Sequence, residues 1–440
     1  MTLPPGLLIG FYGDDFTGST DVMEVLAFAG LPTVLFLGPP APDDLARFPG
    51  LRAVGIAGTA RAQSPDWMAA HLPTALGALA ALRPALMQYK VCSTFDSAPH
   101  VGSIGRALEI GLAATGAPWA SMLVAAPSLR RYQIFGTLFA AVDGVGYRLD
   151  RHPTMARHPV TPMDEADLRR HLAAQTALPV GLVDFLALSH DSGQTALAAA
   201  LDEGARAVLI DTLDAATLEA AGALIWRNRT KSGFSVSSSG LEYALVAHWR
   251  TAGWLAPPMP APRLAAADPL FVVCGSCSPA TAAQIGWAEA QGWACLRADP
   301  AALLDDQGPA VESCCAALSA GRSTVLYAAR GPDDTAIAAF EGRLGAEGRH
   351  ALGAALGAVA RAVLDRARLS RLVVAGGDTS GAVARALGLV ALTAAAPVAP
   401  GSPLCHAHGA DTRLDGLTIA LKGGQVGGPD YFGLCRQGGC

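Results

Sequence analysis

Residues 7–21 read Leu7-Leu8-Ile9-Gly10-Phe11-Tyr12-Gly13-Asp14-Asp15-Phe16-Thr17-Gly18-Ser19-Thr20-Asp21. The run 7–12 is apolar without alternation, as in a strand buried on both faces of a parallel sheet. It stops at a glycine and two acids, after which a helix is expected. The same rhythm of apolar strand, turn and Ala/Leu-rich helix returns at 32–37, 53–57, 86–91, 122–126, 180–185 and 207–210, and again at 270–275, 324–328, 371–375 and 417–421. Ser64-Pro65-Asp66 and Thr161-Pro162-Met163-Asp164 each put a capping hydroxyl before a proline and an acid, which predicts helix starts there. The fold class expected is therefore α/β, two domains, each a mainly parallel sheet with helices on both faces.

At 440 residues the chain exceeds one ordinary hydrophobic core. Pro257, Pro258, Pro260 and Pro262 interrupt helix and central strand alike. The division expected is 1–256, a linker over 257–269, and a second α/β domain over 270–440. With 51% hydrophobic and 16% charged residues the chain has ample apolar surface to fold, and a net charge of −5 offers no broad attraction to nucleic acid or to an anionic membrane. Any anionic ligand must be held locally. Nine scattered cysteines form no disulfide scaffold, and residues 1–10 lack a basic leader, so a cytoplasmic location is expected. The default expectation for assembly is a homodimer.

The acids of the opening stretch fall at the carboxyl end of a parallel strand, where ligands of such sheets bind. Asp14 and Asp15, with Thr17 and Gly18 beside them, suit hydrogen bonding to sugar hydroxyls, holding magnesium, or removing a proton from an attacking alcohol; Asp15 or Asp21 equally suits capping the helix. The spacing of Gly10, Gly13 and Gly18 is not the dinucleotide fingerprint, which disfavours a nicotinamide dehydrogenase. A second strand end carries Lys90, Cys92, Ser93, Thr94, Asp96 and Ser97. One cation among hydroxyls and an acid matches a polyhydroxy carboxylate, though a Ser/Thr-rich turn explains it as well. Arg130, Arg131, Arg157 and His158 are further candidates for a carboxylate clamp.

In the C-terminal half, Ser276-Cys277-Ser278-Pro279 predicts a capped helix whose free N–H groups suit an anion. Gly376-Gly377-Asp378-Thr379-Ser380-Gly381 repeats the strand, glycine turn and helix start, with Thr379 and Ser380 read as caps or phosphate donors. Lys422-Gly423-Gly424-Gln425-Val426-Gly427-Gly428 follows the last strand and suits wrapping a nucleotide or serving as a flexible tail. No GxxxxGK[ST] occurs, so a P-loop is excluded. Cys274 and Cys277 form a lone CxxC without the second pair that a zinc site needs.

Taken together and in order, these blocks resemble the four-carbon acid sugar kinases, a family once described only as a domain of unknown function, which includes 3-oxotetronate, threonate and erythronate kinases and the related 3-oxo-isoapionate kinase. The resemblance covers nearly the whole chain. It implies an N-terminal sugar-acid domain, a C-terminal nucleotide domain and an active site in the cleft between them, with ATP and Mg2+ as cofactors. Ser276, Ser278, Gly376, Gly377, Asp378, Thr379, Gly423 and Gly424 are then expected at ATP. Thr17, Lys90, Ser93, Thr94, Asp96, Ser97, Arg157 and His158 are expected at the sugar acid, with Asp14 or Asp15 orienting or deprotonating a terminal hydroxyl. The stretch from Arg157 through Pro159 to Met163 also looks like the family. The departure is at residues 422–427, where the family has Lys-Ser-Gly-Asn-Phe-Gly and this chain has Lys-Gly-Gly-Gln-Val-Gly. The competing reading is a non-catalytic sugar-acid-binding or regulatory protein on the same fold.

Overall fold

Seven of the eight strands of the main sheet in the N-terminal half are buried at every residue, so helices must cover both faces of that sheet. The computed structural model describes residues 2–142, 144–158, 160–411, 414 and 416–440, and no side chain at 232 or 335–347. The chain divides into two compact units, Met1–Met259 and Pro260–Cys440. Among the described residues no helix is long and apolar enough to cross a membrane.

The strands of the first unit are β1 (Ile9–Gly13), β2 (Thr33–Phe36), β3 (Ala53–Ala57), β4 (Leu86–Lys90), β5 (Ala120–Met122), β6 (Arg131–Ile134), β7 (Thr137–Val142), β8 (Val145–Arg148), β9 (Val180–Val183), β10 (Ala207–Ile210) and β11 (Phe234–Ser237). β2-β3-β1-β4-β11-β5-β10-β9 is an all-parallel sheet in that order, in register with Gly13 opposite both Ala57 and Lys90. β6, β7 and β8 form a separate antiparallel ribbon. It touches the main sheet's loops at the bridge Gln133–Thr212.

The strand expected over 122–126 is displaced to Ala120–Met122. Beyond Met122 the backbone turns to side-chain partners instead, Leu123 donating to the Ser237 hydroxyl at 2.8 Å. The helix expected from Thr161-Pro162 starts later, at Leu168. Asp167 caps it by accepting from the Arg169 N–H, and the Thr161 hydroxyl is engaged with the His158 ring.

The second unit holds β12 (Phe271–Cys274), β13 (Ala294–Arg297), β14 (Thr324–Tyr327), β15 (Arg371–Ala375), β16 (Leu389–Ala399), β17 (Ser402–Gly409) and β18 (Thr418–Lys422). β13-β14-β12-β15-β18 run parallel, and β17 and β16 add antiparallel at the β18 side. The core is built from alternate residues of these strands, Val272, Cys274, Val373, Ala375 and Ala420, with Ile285, Tyr431 and Phe432 from the covering helices.

Candidate functional site

Register places the ends of β1 and β4 side by side, and the Asp14 N–H donates to the Lys90 carbonyl at 3.0 Å. Asp15 adopts extended backbone and caps the helix Phe16–Phe28, accepting from the Gly18 N–H at 3.1 Å and from the Thr17 hydroxyl at 3.0 Å. The capping and active-site readings of Asp15 therefore describe one residue. Arg61, from the short turn Ala60–Ala62 after β3, grips both acids. Its Nε lies 3.1 Å from Asp14 Oδ2, and its Nη2 lies 2.7 Å from Asp14 Oδ1 and 2.8 Å from Asp15 Oδ1. Lys90 Nζ stands 3.9 Å from Asp15 Oδ1, on a side chain only 4% exposed.

This crowding explains Gly18. A Cβ there would lie 2.1 Å from Asp15 Oδ1 and 2.2 Å from Lys90 Nζ, so any side chain would occupy the space in which acid and lysine approach.

The two neighbouring acids are pushed in opposite directions. Burial raises the Asp14 carboxyl above its ordinary range, with the guanidinium of Arg61 opposing and the charge of Asp15 adding to the rise. Burial also acts to raise Asp15, but Arg61, Lys90, Thr17 and the Gly18 N–H together outweigh it and hold that carboxyl below its ordinary range. Burial and the local charges thus pull the two neighbouring carboxyls apart.

After β4 the chain makes a tight turn in which buried Phe95 takes φ of 57°. Thr94 donates to Asp96 Oδ1 at 2.7 Å and sits 2.9 Å from the Cys92 sulfur. The Ser93 hydroxyl has no hydrogen bond among the described residues, and Ser93 and Asp96 are half-buried. Ser97 is buried and its hydroxyl is engaged by the Phe95 carbonyl, His171 Nε2 and Gln175 Nε2 at 2.9–3.0 Å, so it braces the turn from within. Thr17, with its hydroxyl on Asp15, likewise supports the acid. Arg157 is exposed at the end of the turn Met155–Arg157, and His158 accepts from the Thr161 N–H through Nδ1 at 3.1 Å. No hydrogen bond or ion pair joins either to the acid loop among the described residues. Pro159 lies outside the described residues.

In the second unit, Ser278 caps the helix Pro279–Ala290 by accepting from the Thr281 N–H at 3.1 Å. Its hydroxyl also donates to the Gly424 carbonyl, which accepts as well from Thr281 Oγ1 at 3.0 Å and Lys422 Nζ at 3.3 Å. Lys422 is fully buried, 3.0 Å from Thr281 Oγ1, and burial lowers its ammonium to about 8. The helix Gly377–Ala386 starts one turn earlier than its hydroxyls suggested. Gly376, at φ 123°, stands at its head, while Thr379 and Ser380 are buried inside its first turn. Gly377 and Asp378 are exposed there. A Cβ on Gly424 would lie 2.7 Å from Ser276 Oγ, so the glycine loop and the Ser276–Ser278 turn close against each other. Two helix N-termini and an open glycine loop thus share the carboxyl edge of one parallel sheet, the geometry that accepts phosphate.

Two family descriptions match the chain, a sugar-binding N-terminal domain over residues 9–245 and a nucleotide-binding C-terminal domain over 271–432. A 3-oxo-isoapionate kinase of Paraburkholderia graminis is 52% identical, over 99% of this chain and 95% of its own length. The chain belongs to the four-carbon acid sugar kinase family. A second relative in that family, the 3-oxo-tetronate kinase of Methylobacterium radiotolerans, is 35% identical over 97% of this chain and 98% of its own. The crystal structure of Haemophilus influenzae protein HI1011 shares the fold with TM-score 0.72, at 24% identity over 97% of this chain and 99% of that one.

Three residues of this four-carbon acid sugar kinase escaped the sequence reading. Arg61 carries no local motif; its position after the third strand end was the available signal. Thr281 and Gln284 lie in the first and second turns of a helix whose cap alone drew notice.

Proposed function

We propose that the chain moves the terminal phosphoryl group of ATP onto a terminal hydroxyl of a small sugar acid, with the branched 3-oxo-isoapionate or a close analogue as acceptor. The observation that carries the reading is the 52% identity, over almost the full chain, to a relative named for that substrate, against 30–36% for those named for 3-oxo-tetronate.

Phosphoryl transfer asks a protein mainly for alignment and for charge around the moving group. Asp14, buried and raised, is the base that takes the proton of the attacking alcohol; Asp15, held ionised, fixes Arg61 and Lys90 around it. Lys90 and Arg61 supply positive charge toward a carboxylate, and Ser93, Thr94 and Asp96 offer hydrogen bonds to hydroxyls. Ser97 and Thr17 position these groups from behind. For the nucleotide, the fit rests on the tight approach of Gly424 to Ser276 and on the N–H groups in the first turns of the helices Pro279–Ala290 and Gly377–Ala386. Ser276, Ser278, Gly376 to Thr379, Gly423 and Gly424 would hold the phosphates.

Magnesium in kinases is carried largely by the phosphates, with one or two protein carboxylates and water. Asp378, exposed in the first turn of its helix, is an acid that would hold it, and the ion would neutralise phosphate charge.

The test is ADP release, coupled to a reporter, with 3-oxo-isoapionate, 3-oxo-tetronate, threonate and erythronate. A kcat/KM at least tenfold higher for 3-oxo-isoapionate supports the assignment. Preference for 3-oxo-tetronate moves the chain to the second named substrate class, and binding without ADP release leaves a sugar-acid-binding protein.

A further inference from the structure

The loop after β18 is held by its carbonyls. Gly424 O accepts from Ser278, Thr281 and Lys422, and the next three carbonyls with a partner on this helix, those of Val426, Gly427 and Gly428, lie 3.0, 3.1 and 3.1 Å from a single nitrogen, Nε2 of Gln284. Gln284 is fully buried, in the second turn of the helix Pro279–Ala290. Its amide orientation follows from chemistry, because three carbonyl oxygens around one terminus demand the NH2 group there. Two hydrogens serve three acceptors, so at least one is shared.

A trans peptide is planar, with each C=O opposed to the N–H of the next residue. Drawing the carbonyls of Gly424, Val426 and Gly427 toward the helix therefore turns the N–H groups of Gln425, Gly427 and Gly428 away from it. None of these three donates to an acceptor among the described residues, whereas the Val426 N–H closes a turn onto Gly423 O at 3.2 Å. Gly427 takes φ of 85°, the left-handed step that lets successive N–H groups converge into an anion-binding concavity. We infer that Gln425, Gly427 and Gly428 form a main-chain phosphate nest and that Gln284 is the positioning residue that holds it open. The inference rests on the reading of this unit as the nucleotide-binding half.

It also predicts that the altered block is tolerated. A nest built from backbone N–H groups needs glycine where φ is positive, and makes no demand on the side chains at 425 and 426.

The test compares Gln284→Glu and Gln284→Met with the native enzyme, by ADP titration calorimetry and by kinetics in ATP. Met fills the space but donates nothing; Glu faces three carbonyls with an acceptor while ionised and regains one donor when protonated. Both are expected to raise KM for ATP roughly 10- to 100-fold at pH 8, with kcat and KM for the sugar acid within about threefold. On lowering the pH to 6 the Glu variant is expected to recover and the Met variant to stay impaired, with equal unfolding midpoints of the Glu variant at the two pH values separating this from a pH-dependent loss of folding. Amide NMR shifts of Gln425, Gly427 and Gly428 on adding ADP to the native enzyme provide a second reading that requires no variant. Unchanged KM for ATP in both variants, or ADP binding that leaves those three amides unmoved, overturns the inference while leaving the kinase assignment intact. Failure of the native protein to bind ADP at all overturns both.

Discussion

Replacing Arg61 by Met removes the guanidinium that bridges Asp14 and Asp15 while keeping most of its apolar stem. Asp14 is 3% exposed in its side chain, and Lys90 stands 3.9 Å from Asp15 alone, so the variant buries a carboxylate without a close cation. Breaking a buried ion pair on one side is worth about 3–5 kcal/mol. At roughly 2–4 °C per kcal/mol for a domain of this size, Tm should fall on the order of 10 °C. The sign with pH follows from linkage. Burial and the charge of Asp15 already raise the Asp14 carboxyl in the folded state, and losing Arg61 raises it further. A group whose folded value exceeds its unfolded one destabilises the fold in its ionised form, so the deficit is full near neutral pH and shrinks as pH falls toward about 4. Calorimetry from pH 4.5 to 8 checks this, with the Asp14→Asn/Arg61→Met double variant expected to recover part of the loss. A Tm change below about 2 °C, or one equal at every pH, would refute the reasoning.

Asp14→Asn is expected to lower kcat by about 10²–10⁴ with KM for ATP nearly unchanged, and the native rate should fall on acidification along a limb above the ordinary carboxylate range, because the base must be ionised and its carboxyl is raised. Steady-state ADP release across pH measures both. Gly18→Ala forces a methyl within 2.2 Å of Lys90 Nζ and should destabilise by about 1–3 kcal/mol while cutting turnover at least about tenfold, read by urea unfolding and the same assay. Burial lowers Lys422 from 10.5 to about 8 in the folded protein, so between those values the unfolded chain holds a proton the folded one lacks and stability rises with pH. Lys422→Met should abolish that rise, about 2 kcal/mol between pH 7.5 and 10, in chemical unfolding at those two pH values.

The long apolar strands and the glycine-marked strand ends were legible because a parallel strand buried on both faces leaves an unbroken apolar run. β11 was not legible, since Ser235 and Ser237 break up its apolar run. In the fold they are buried and hydrogen-bonded to Ser121 and Leu123 of the neighbouring chain segment. The β16–β17 hairpin hid in an Ala- and Pro-rich stretch, although Pro400-Gly401, with Gly401 at φ 80°, is its turn. At the site, Asp14, Asp15 and Lys90 stood out through their place after strands. Arg61 did not, because its partners lie 46 and 47 residues away and no spacing encodes that meeting. Ser97 and Thr17 looked like ligand contacts because a hydroxyl in a polar loop reads the same whether it faces a substrate or its own backbone.

The β6–β8 ribbon leaves the main chain after β5 and returns before β9, and the parallel sheet keeps its register without it. Its tether is polar, because Asp211, buried just beyond β10, accepts from the Gln133 amide and from the Phe135 and Gly136 N–H groups, so the ribbon can vary at its exposed β8 end and still keep its seat on the scaffold.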